Sequence, residues 1–331
     1  METHIAVVGA GSWGTTVASM VAQNQPTMLW ARRAELAHQI TTRHENPDYL
    51  QGMTLSTSLS SSANLRDVVS DASIVMMAVP SNGFRDVLIE VAKYVDAGVP
   101  IVSLVKGLER ETLKRMSEVI VDELPSHPMA VLTGPNLAHE ILSGQPAATV
   151  VACVDDTLAR QIQVLVTRPT LRVYTNPDVL GCEIGGVVKN VIAIAAGIIQ
   201  GMGFGDNSKA TLITRGLAEM SRLGVALGAN PHTFTGLAGL GDVVATCASA
   251  QSRNTAVGVR LGKGESISEI LASMTMVAEG VKSSLSVLQL AQRCNVVMPI
   301  TEQVAAVCEG TISAKDGLIR LMARVSKSEF D

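Results

Sequence analysis

Six residues near the start of the chain, Gly9-Ala10-Gly11-Ser12-Trp13-Gly14, limit what it can become. They follow the short apolar run His4–Gly9 and open a stretch of helical spacing, Ser12–Gln23. A strand, a glycine turn and a helix in that order make up the GxGxxG dinucleotide fingerprint. Gly9 permits the tight turn. Gly11 lets the backbone approach a pyrophosphate seated on the helix N-terminus, and Gly14 lets helix and strand pack closely. The bland alternative is a plain strand–turn–helix corner; the strand and helix context favours a dinucleotide site.

Strand and helix patterns alternate through the first half. After Thr27–Trp30 the strand candidates are Ile74–Val79, Ile101–Val105, Met129–Leu132, Ala148–Ala152 and Leu171–Tyr174. Helical patterns fall near Phe84–Tyr94, Thr112–Leu124 and Thr157–Leu165, while the serine-rich stretch Ser56–Ser62 reads as a loop. This alternation predicts βαβ units and a mostly parallel sheet covered by helices. From about Asn176 the strand runs stop. Helical patterns rich in Ala, Gly, Leu and Met follow, at Val179–Gln200, Ser208–Leu227, Asn254–Leu261, Ile267–Met274, Val281–Cys294 and Met298–Glu309. At about 100–200 residues per domain, 331 residues suggest two domains. The boundary is placed at Asn176-Pro177, because proline neither donates to a sheet nor continues a helix. The expected fold is α/β: a Rossmann-type, doubly wound, mostly parallel sheet over residues 1–176, then an all-α domain over 177–331.

Composition removes several functional classes. Lys+Arg is 26 and Asp+Glu is 30, a net charge of −4, which gives no electrostatic footprint for nucleic acid. Aromatics at 3% leave little for base stacking. Apolar residues at 47% against 17% charged can bury a large core. The five cysteines are widely spaced with no CxxC, against a disulfide framework or zinc ribbon and for a reducing, cytoplasmic setting. The six histidines show no ligand spacing, so no metal is expected. A first strand at about His4 leaves no room for a signal peptide. The apolar stretch around Val187–Ile199 is interrupted by Glu183, Lys189 and Asn190, short of the ~20 apolar residues a membrane span requires. It reads as a buried helix.

The end of the second strand reports which dinucleotide is used. An NAD site often places Asp or Glu there to accept from the ribose 2′-hydroxyl. Here Ala31-Arg32-Arg33 stands instead, with no acid before Glu35. Paired arginines suit a 2′-phosphate, which predicts NADPH, with NADH the weaker alternative; a solvated surface pair is the other reading. Pro80, in Ala78-Val79-Pro80-Ser81, either shapes the cofactor crevice or simply ends a strand.

Three further clusters carry chemistry. Lys106, in Val105-Lys106-Gly107-Leu108-Glu109, follows a strand and is a candidate for holding an anionic or carbonyl substrate, or is an exposed loop lysine. Thr133-Gly134-Pro135-Asn136-Leu137-Ala138 ends another strand in the same way. Lys189 lies in the middle of the apolar helix. A buried ammonium needs a partner, a depressed pKa or a cavity, and burial tunes a lysine toward acid–base work. An ion pair with Glu183 or Asp242, or snorkelling to the surface, is the structural alternative. Gly236-Leu237-Ala238-Gly239-Leu240-Gly241-Asp242 and Gln251-Ser252-Arg253-Asn254 complete the set. Hydroxyl, guanidinium and amide donors at a helix start suit a phosphate, or form a turn plus N-cap.

Taken together, these motifs resemble the bacterial NAD(P)-dependent glycerol-3-phosphate dehydrogenases. GAGSWG (Gly9–Gly14), KGLE (Lys106–Glu109), TGPNLA (Thr133–Ala138), VVKNVIAIAAG (Val187–Gly197), GLAGLGD (Gly236–Asp242), QSRN (Gln251–Asn254) and AEGV (Ala278–Val281) stand in family order over nearly the whole chain. The resemblance implies roles. Lys189 is the catalytic lysine, exchanging a proton with the substrate's C2 oxygen. Lys106 contacts cofactor and substrate, and Asp242 holds Lys189 and the substrate hydroxyls. Ser252, Arg253 and Asn254 bind the substrate and its phosphate, with Arg253 also near the cofactor. Gly134 and Asn136 line the substrate pocket. Gly9, Gly11, Ser12, Trp13, Gly14, Arg32, Arg33, Ala138, Val277 and Glu279 complete the NADPH site. The sequence departs from the family at Asn136, where serine is commoner, and at Leu137, where phenylalanine is. The implied reaction reduces dihydroxyacetone phosphate to sn-glycerol 3-phosphate between the two domains, for glycerophospholipid synthesis. Apolar helical surface suggests a homodimer. The rivals are a two-domain NADP-dependent hydroxy-acid dehydrogenase and, from another class, a non-catalytic NADPH sensor.

Overall fold

A computed structural model of the chain describes residues 3–274, 278–326, 328 and 329. Strands β1 (His4–Val8), β2 (Thr27–Trp30), β3 (Leu59–Ser62), β4 (Ala72–Met77), β5 (Ile101–Ser103), β6 (Met129–Thr133), β7 (Ala147–Ala152) and β8 (Leu171–Asn176) form one sheet. Their order is β3-β2-β1-β4-β5-β6-β7-β8, parallel throughout except between β6 and β7. Winding reverses at β1, with β2 on one side and β4 on the other. In an open α/β sheet, such a reversal leaves a crevice beyond the carboxyl ends of the strands. The glycine fingerprint leaves β1 at that point.

The continuous apolar run of β1 follows from burial on both faces, as parallel sheets require. Ile5 and Val7 pack into one core with Leu29, Ile40 and Ile162. Ala6 and Val8 pack into the other with Val75, Phe84 and Met116. Each fully buried Val, Leu or Ile stabilises by about 1.5–3 kcal/mol.

Two local readings of the sequence need correction. The serine-rich stretch read as a loop contains β3, the edge strand paired with β2. Serine is a weak strand former, but here its hydroxyls bond to the neighbouring strand: Ser60 Oγ donates to the Thr27 carbonyl at 3.2 Å and Ser61 Oγ to that of Leu29 at 2.7 Å. The helix expected from Thr112 begins only at Met116, because Leu113 is left-handed at φ 63° and Arg115 bridges back to Leu108.

After β8, Asn176-Pro177 leads into helix Val179–Gly201, whose first turn is capped by Asp178 Oδ1 accepting from Gly181 N at 2.8 Å. This helix is long and apolar enough to cross a membrane, yet its most apolar window is entirely buried within the protein. The chain divides into two compact units, Met1–Glu183 and Ile184–Asp331, with the division inside this helix. The described residues of the second unit are helical and hold no strand. The main helices beyond Gly201 are Asp206–Ala226, Asp242–Ala248, Arg253–Gly262, Ile267–Ser273, Glu279–Arg293, Pro299–Cys308 and Ala314–Met322. Gly197 and Gly258 let two of these backbones touch. A Cβ on Gly197 would lie 2.2 Å from the Thr255 carbonyl oxygen, and one on Gly258 would lie 2.1 Å from that of Ile194. That contact sets the start of helix Arg253–Gly262 alongside Lys189 and Asn190.

Candidate active site

Each fingerprint glycine is needed for a different reason. Gly9 sits at φ +119°, and a Cβ there would meet the Ala78 carbonyl oxygen at 2.7 Å. A Cβ on Gly14 would meet the Gly9 carbonyl oxygen at 2.1 Å. A Cβ on Gly11 would meet no other atom within 4 Å among the described residues. Helix Ser12–Val21 begins there with no side-chain cap and no acid in its first turn. Its first N–H groups therefore have no side-chain acceptor among the described residues, and the helix start suits a pyrophosphate. Trp13 Nε1 is buried at the same end without a partner among the described residues. These features fit a dinucleotide.

The loop after helix Ala34–Arg43 braces this site, which nothing in the local sequence announced. Asn46, fully buried, donates from Nδ2 to the Ala10 carbonyl at 3.0 Å and to Thr15 Oγ1 at 2.8 Å. Ser12 Oγ donates to the Tyr49 carbonyl at 3.2 Å. Beyond β2, Arg32 is exposed and makes no ion pair among the described residues. Arg33 is also exposed but is paired with Asp48, an acid well beyond it in sequence.

Lys106 Nζ donates to the Gly134 carbonyl at 2.6 Å, and Gly134 takes the left-handed φ of +123°. Both carboxamide atoms of Asn136 are buried with no hydrogen-bond partner among the described residues. An unsatisfied buried group of this kind costs about 1–3 kcal/mol, and such a carboxamide fits the polar group of a bound molecule. Ala138 opens the short helix Ala138–Leu142 beside it. Pro80 precedes the turn Ser81–Gly83 at the end of β4. Glu109, in the same motif as Lys106, is a structural partner: Arg85 donates to its two oxygens at 2.7 and 2.8 Å. The Arg85 guanidinium holds that carboxyl below its ordinary value.

Glu183 is not the partner of Lys189. It accepts from Arg115 Nη1 at 2.7 Å, Ser117 N at 2.9 Å and Ser117 Oγ at 2.5 Å. Burial outweighs those bonds and raises its pKa.

In the second unit, Lys189 is 9% exposed. Its Nζ donates to Thr246 Oγ1 at 2.9 Å and lies 3.3 Å from Asp242 Oδ1. The Thr246 hydroxyl donates in turn to Asp242 Oδ1 at 3.1 Å. Asp242 is 2% exposed and opens helix Asp242–Ala248 directly after the π-helical turn Leu237–Gly241. The glycines of that turn let it pack: a Cβ on Gly239 would lie 2.2 Å from the Phe234 carbonyl oxygen. Helical π-turns recur at functional sites. Thr246 was not singled out from sequence, although its i+4 spacing from Asp242 places both on one helix face.

Ser252 caps helix Arg253–Gly262, accepting from Thr255 N at 3.2 Å. Thr255 Oγ1 donates to the Thr246 carbonyl at 2.9 Å, tying this cap to the lysine cluster. Asn254 Nδ2 donates to Asn190 Oδ1 at 2.9 Å, and its own Oδ1 accepts from Gly280 N at 2.9 Å. Arg253 is exposed at the helix start. The structure thus brings Lys189, Asp242, Ser252 and Asn254 into one hydrogen-bonded neighbourhood, with Asn190, Thr246 and Thr255 added. Glu279 begins helix Glu279–Arg293 next to Gly280, and Val277 lies outside the described residues.

Comparison with known proteins gives the family of the chain. The family described as NAD-dependent glycerol-3-phosphate dehydrogenase matches in its N-terminal part over residues 4–159 and in its C-terminal part over residues 178–318. A glycerol-3-phosphate dehydrogenase [NAD(P)+] of Sphingopyxis alaskensis is 52% identical, covering 96% of this chain and 95% of its own. One of Thermobifida fusca is 50% identical, covering 99% and 98%. The crystal structure of glycerol-3-phosphate dehydrogenase from Coxiella burnetii superposes with a TM-score of 0.93 at 34% identity, covering 97% and 99%. The chain therefore belongs to the NAD-dependent glycerol-3-phosphate dehydrogenase family.

Proposed function

We propose that this chain is a glycerol-3-phosphate dehydrogenase, an oxidoreductase reducing dihydroxyacetone phosphate to sn-glycerol 3-phosphate with NADPH or NADH. The observation that carries the reading is the buried Lys189 ammonium, fixed by Thr246 and Asp242. When bound, the nicotinamide supplies a hydride to C2 of the substrate. Negative charge then grows on the C2 oxygen, and Lys189 stabilises it and delivers the proton. Asp242 and Thr246 keep the ammonium aimed. Ser252, Arg253 and Asn254, at the start of a ten-residue helix, bind the substrate phosphate through hydroxyl, guanidinium, amide and backbone N–H groups.

Lys106 and Asn136 take the substrate from the first unit, with Gly134 letting the backbone come close. Gly9, Gly11, Ser12, Trp13, Gly14, Arg32, Arg33, Ala138, Val277 and Glu279 hold the dinucleotide. The reaction calls on residues of both units, assigned to 1–176 and 177–331 as binding and catalytic domains. Five free cysteines, four of them buried, support a reducing, cytoplasmic setting. Exposed Val297, Ile319 and Met322 offer apolar surface for a homodimer. The product would serve glycerophospholipid synthesis.

Nicotinamide absorbance tests the reading. Purified protein should oxidise NADPH rapidly with dihydroxyacetone phosphate and not with a 2-keto acid of similar size. Activity with the keto acid alone would transfer the protein to the hydroxy-acid dehydrogenases.

A further inference from the structure

We propose that Asp48 is a specificity-determining residue, which lowers the preference for NADPH over NADH by engaging Arg33. The inference rests on the reading above, in which Arg32 and Arg33 face the ribose 2′ position. Both arginines follow β2, where the sheet ends and the acid of an NAD-selective site would usually stand. The structure supplies an acid there from elsewhere. Asp48 comes from the loop after helix Ala34–Arg43, and its carboxylate is paired with the Arg33 guanidinium. Arg32 makes no such pair among the described residues.

The position of Asp48 is imposed by its surroundings. Asn46 anchors the loop to the Ala10 carbonyl and Thr15 Oγ1, and the Tyr49 carbonyl accepts from Ser12 Oγ. The residue between these anchors is held against the rim of the glycine fingerprint. A 2′-phosphate bound by Arg33 must displace or share that carboxylate, and it meets a like charge beside it. A 2′-hydroxyl meets neither obstacle. Asp48 therefore works against the phosphate and is neutral toward the hydroxyl. A chain carrying two arginines at this point can then still accept both cofactors.

Isothermal titration calorimetry on the full chain, with NADPH and NADH separately, tests this without relying on turnover. Asp48 is exposed and the loop keeps its other anchors, so D48N should fold normally. It should tighten NADPH about three- to tenfold and leave NADH within about twofold. R33A should weaken NADPH alone. Adding D48N to R33A should give a smaller gain than D48N alone, because most of the effect of Asp48 runs through Arg33 and only the direct like-charge repulsion remains. If D48N leaves NADPH unchanged or weaker while R33A still weakens it, the role of Asp48 is overturned and the arginine reading stands. Equal shifts for both cofactors in D48N would mark a loop effect and overturn it too. If neither R32A nor R33A affects NADPH, the arginine reading fails and takes this inference with it.

Discussion

Lys189 Nζ lies 3.3 Å from Asp242 Oδ1, and both side chains are almost fully buried. Neither charge is tolerable there alone. Removing one member of a buried pair typically costs about 3–5 kcal/mol, whereas replacing both can be neutral. Lys189→Met should therefore lower the melting temperature, and Lys189→Met/Asp242→Asn should recover most of that loss. Thermal unfolding followed by circular dichroism checks this. A double variant less stable than the single one would mean that the pair is not coupled.

Thr246 links the two, accepting from the lysine and donating to the aspartate. Thr246→Val keeps the shape and deletes both bonds. We expect kcat to fall about ten- to a hundredfold, the effect of losing one positioned charge-assisted bond of about 1.5–3 kcal/mol. Thr246→Ser should restore most of it. Steady-state kinetics that find the valine variant unchanged would show that Thr246 has no part in aiming the lysine.

The fingerprint glycines should separate binding from folding. Gly11→Ala adds a methyl to open space, so stability should hold while cofactor affinity drops at least about tenfold if, as proposed, the pyrophosphate sits there. Gly14→Ala puts Cβ 2.1 Å from a backbone oxygen, which must cost stability, about 1–3 kcal/mol or more. Calorimetric cofactor titration beside thermal unfolding distinguishes the two variants.

Acid should attack the first unit through Glu109. Arg85 holds this carboxyl below its ordinary value of 4.5. A carboxylate with a depressed folded pKa contributes stability above its unfolded value, and that stability is lost as pH falls through the folded one. The contribution should be constant at neutral pH and disappear progressively below about pH 4.5. Glu109→Gln should lower stability at pH 7 and flatten that acid limb in denaturant titrations.

Local constraints made the strand, glycine turn and first helix readable in advance, since Gly9 and Gly14 tolerate no side chain whatever surrounds them. Lys189 was readable because a charge within an apolar helix requires a reason. What was hidden depends on residues distant in sequence. The β3 edge strand has no hydrophobic alternation and forms by serine bonds to β2. Asn46 and Asp48 reach Ala10 and Arg33 only because their loop folds back. Local sequence left Glu183 and Asp242 equally open as partners of Lys189, and Arg115 and Ser117 settle the choice by occupying Glu183.

The most direct test is the turnover of dihydroxyacetone phosphate by Lys189→Met, measured by nicotinamide absorbance on folded protein that still binds NADPH. The account predicts a loss of about 10²–10⁴ in kcat, the usual worth of a positioned general acid. Turnover within a few-fold of the unaltered protein would contradict it, and would leave Lys189 and Asp242 as a structural pair.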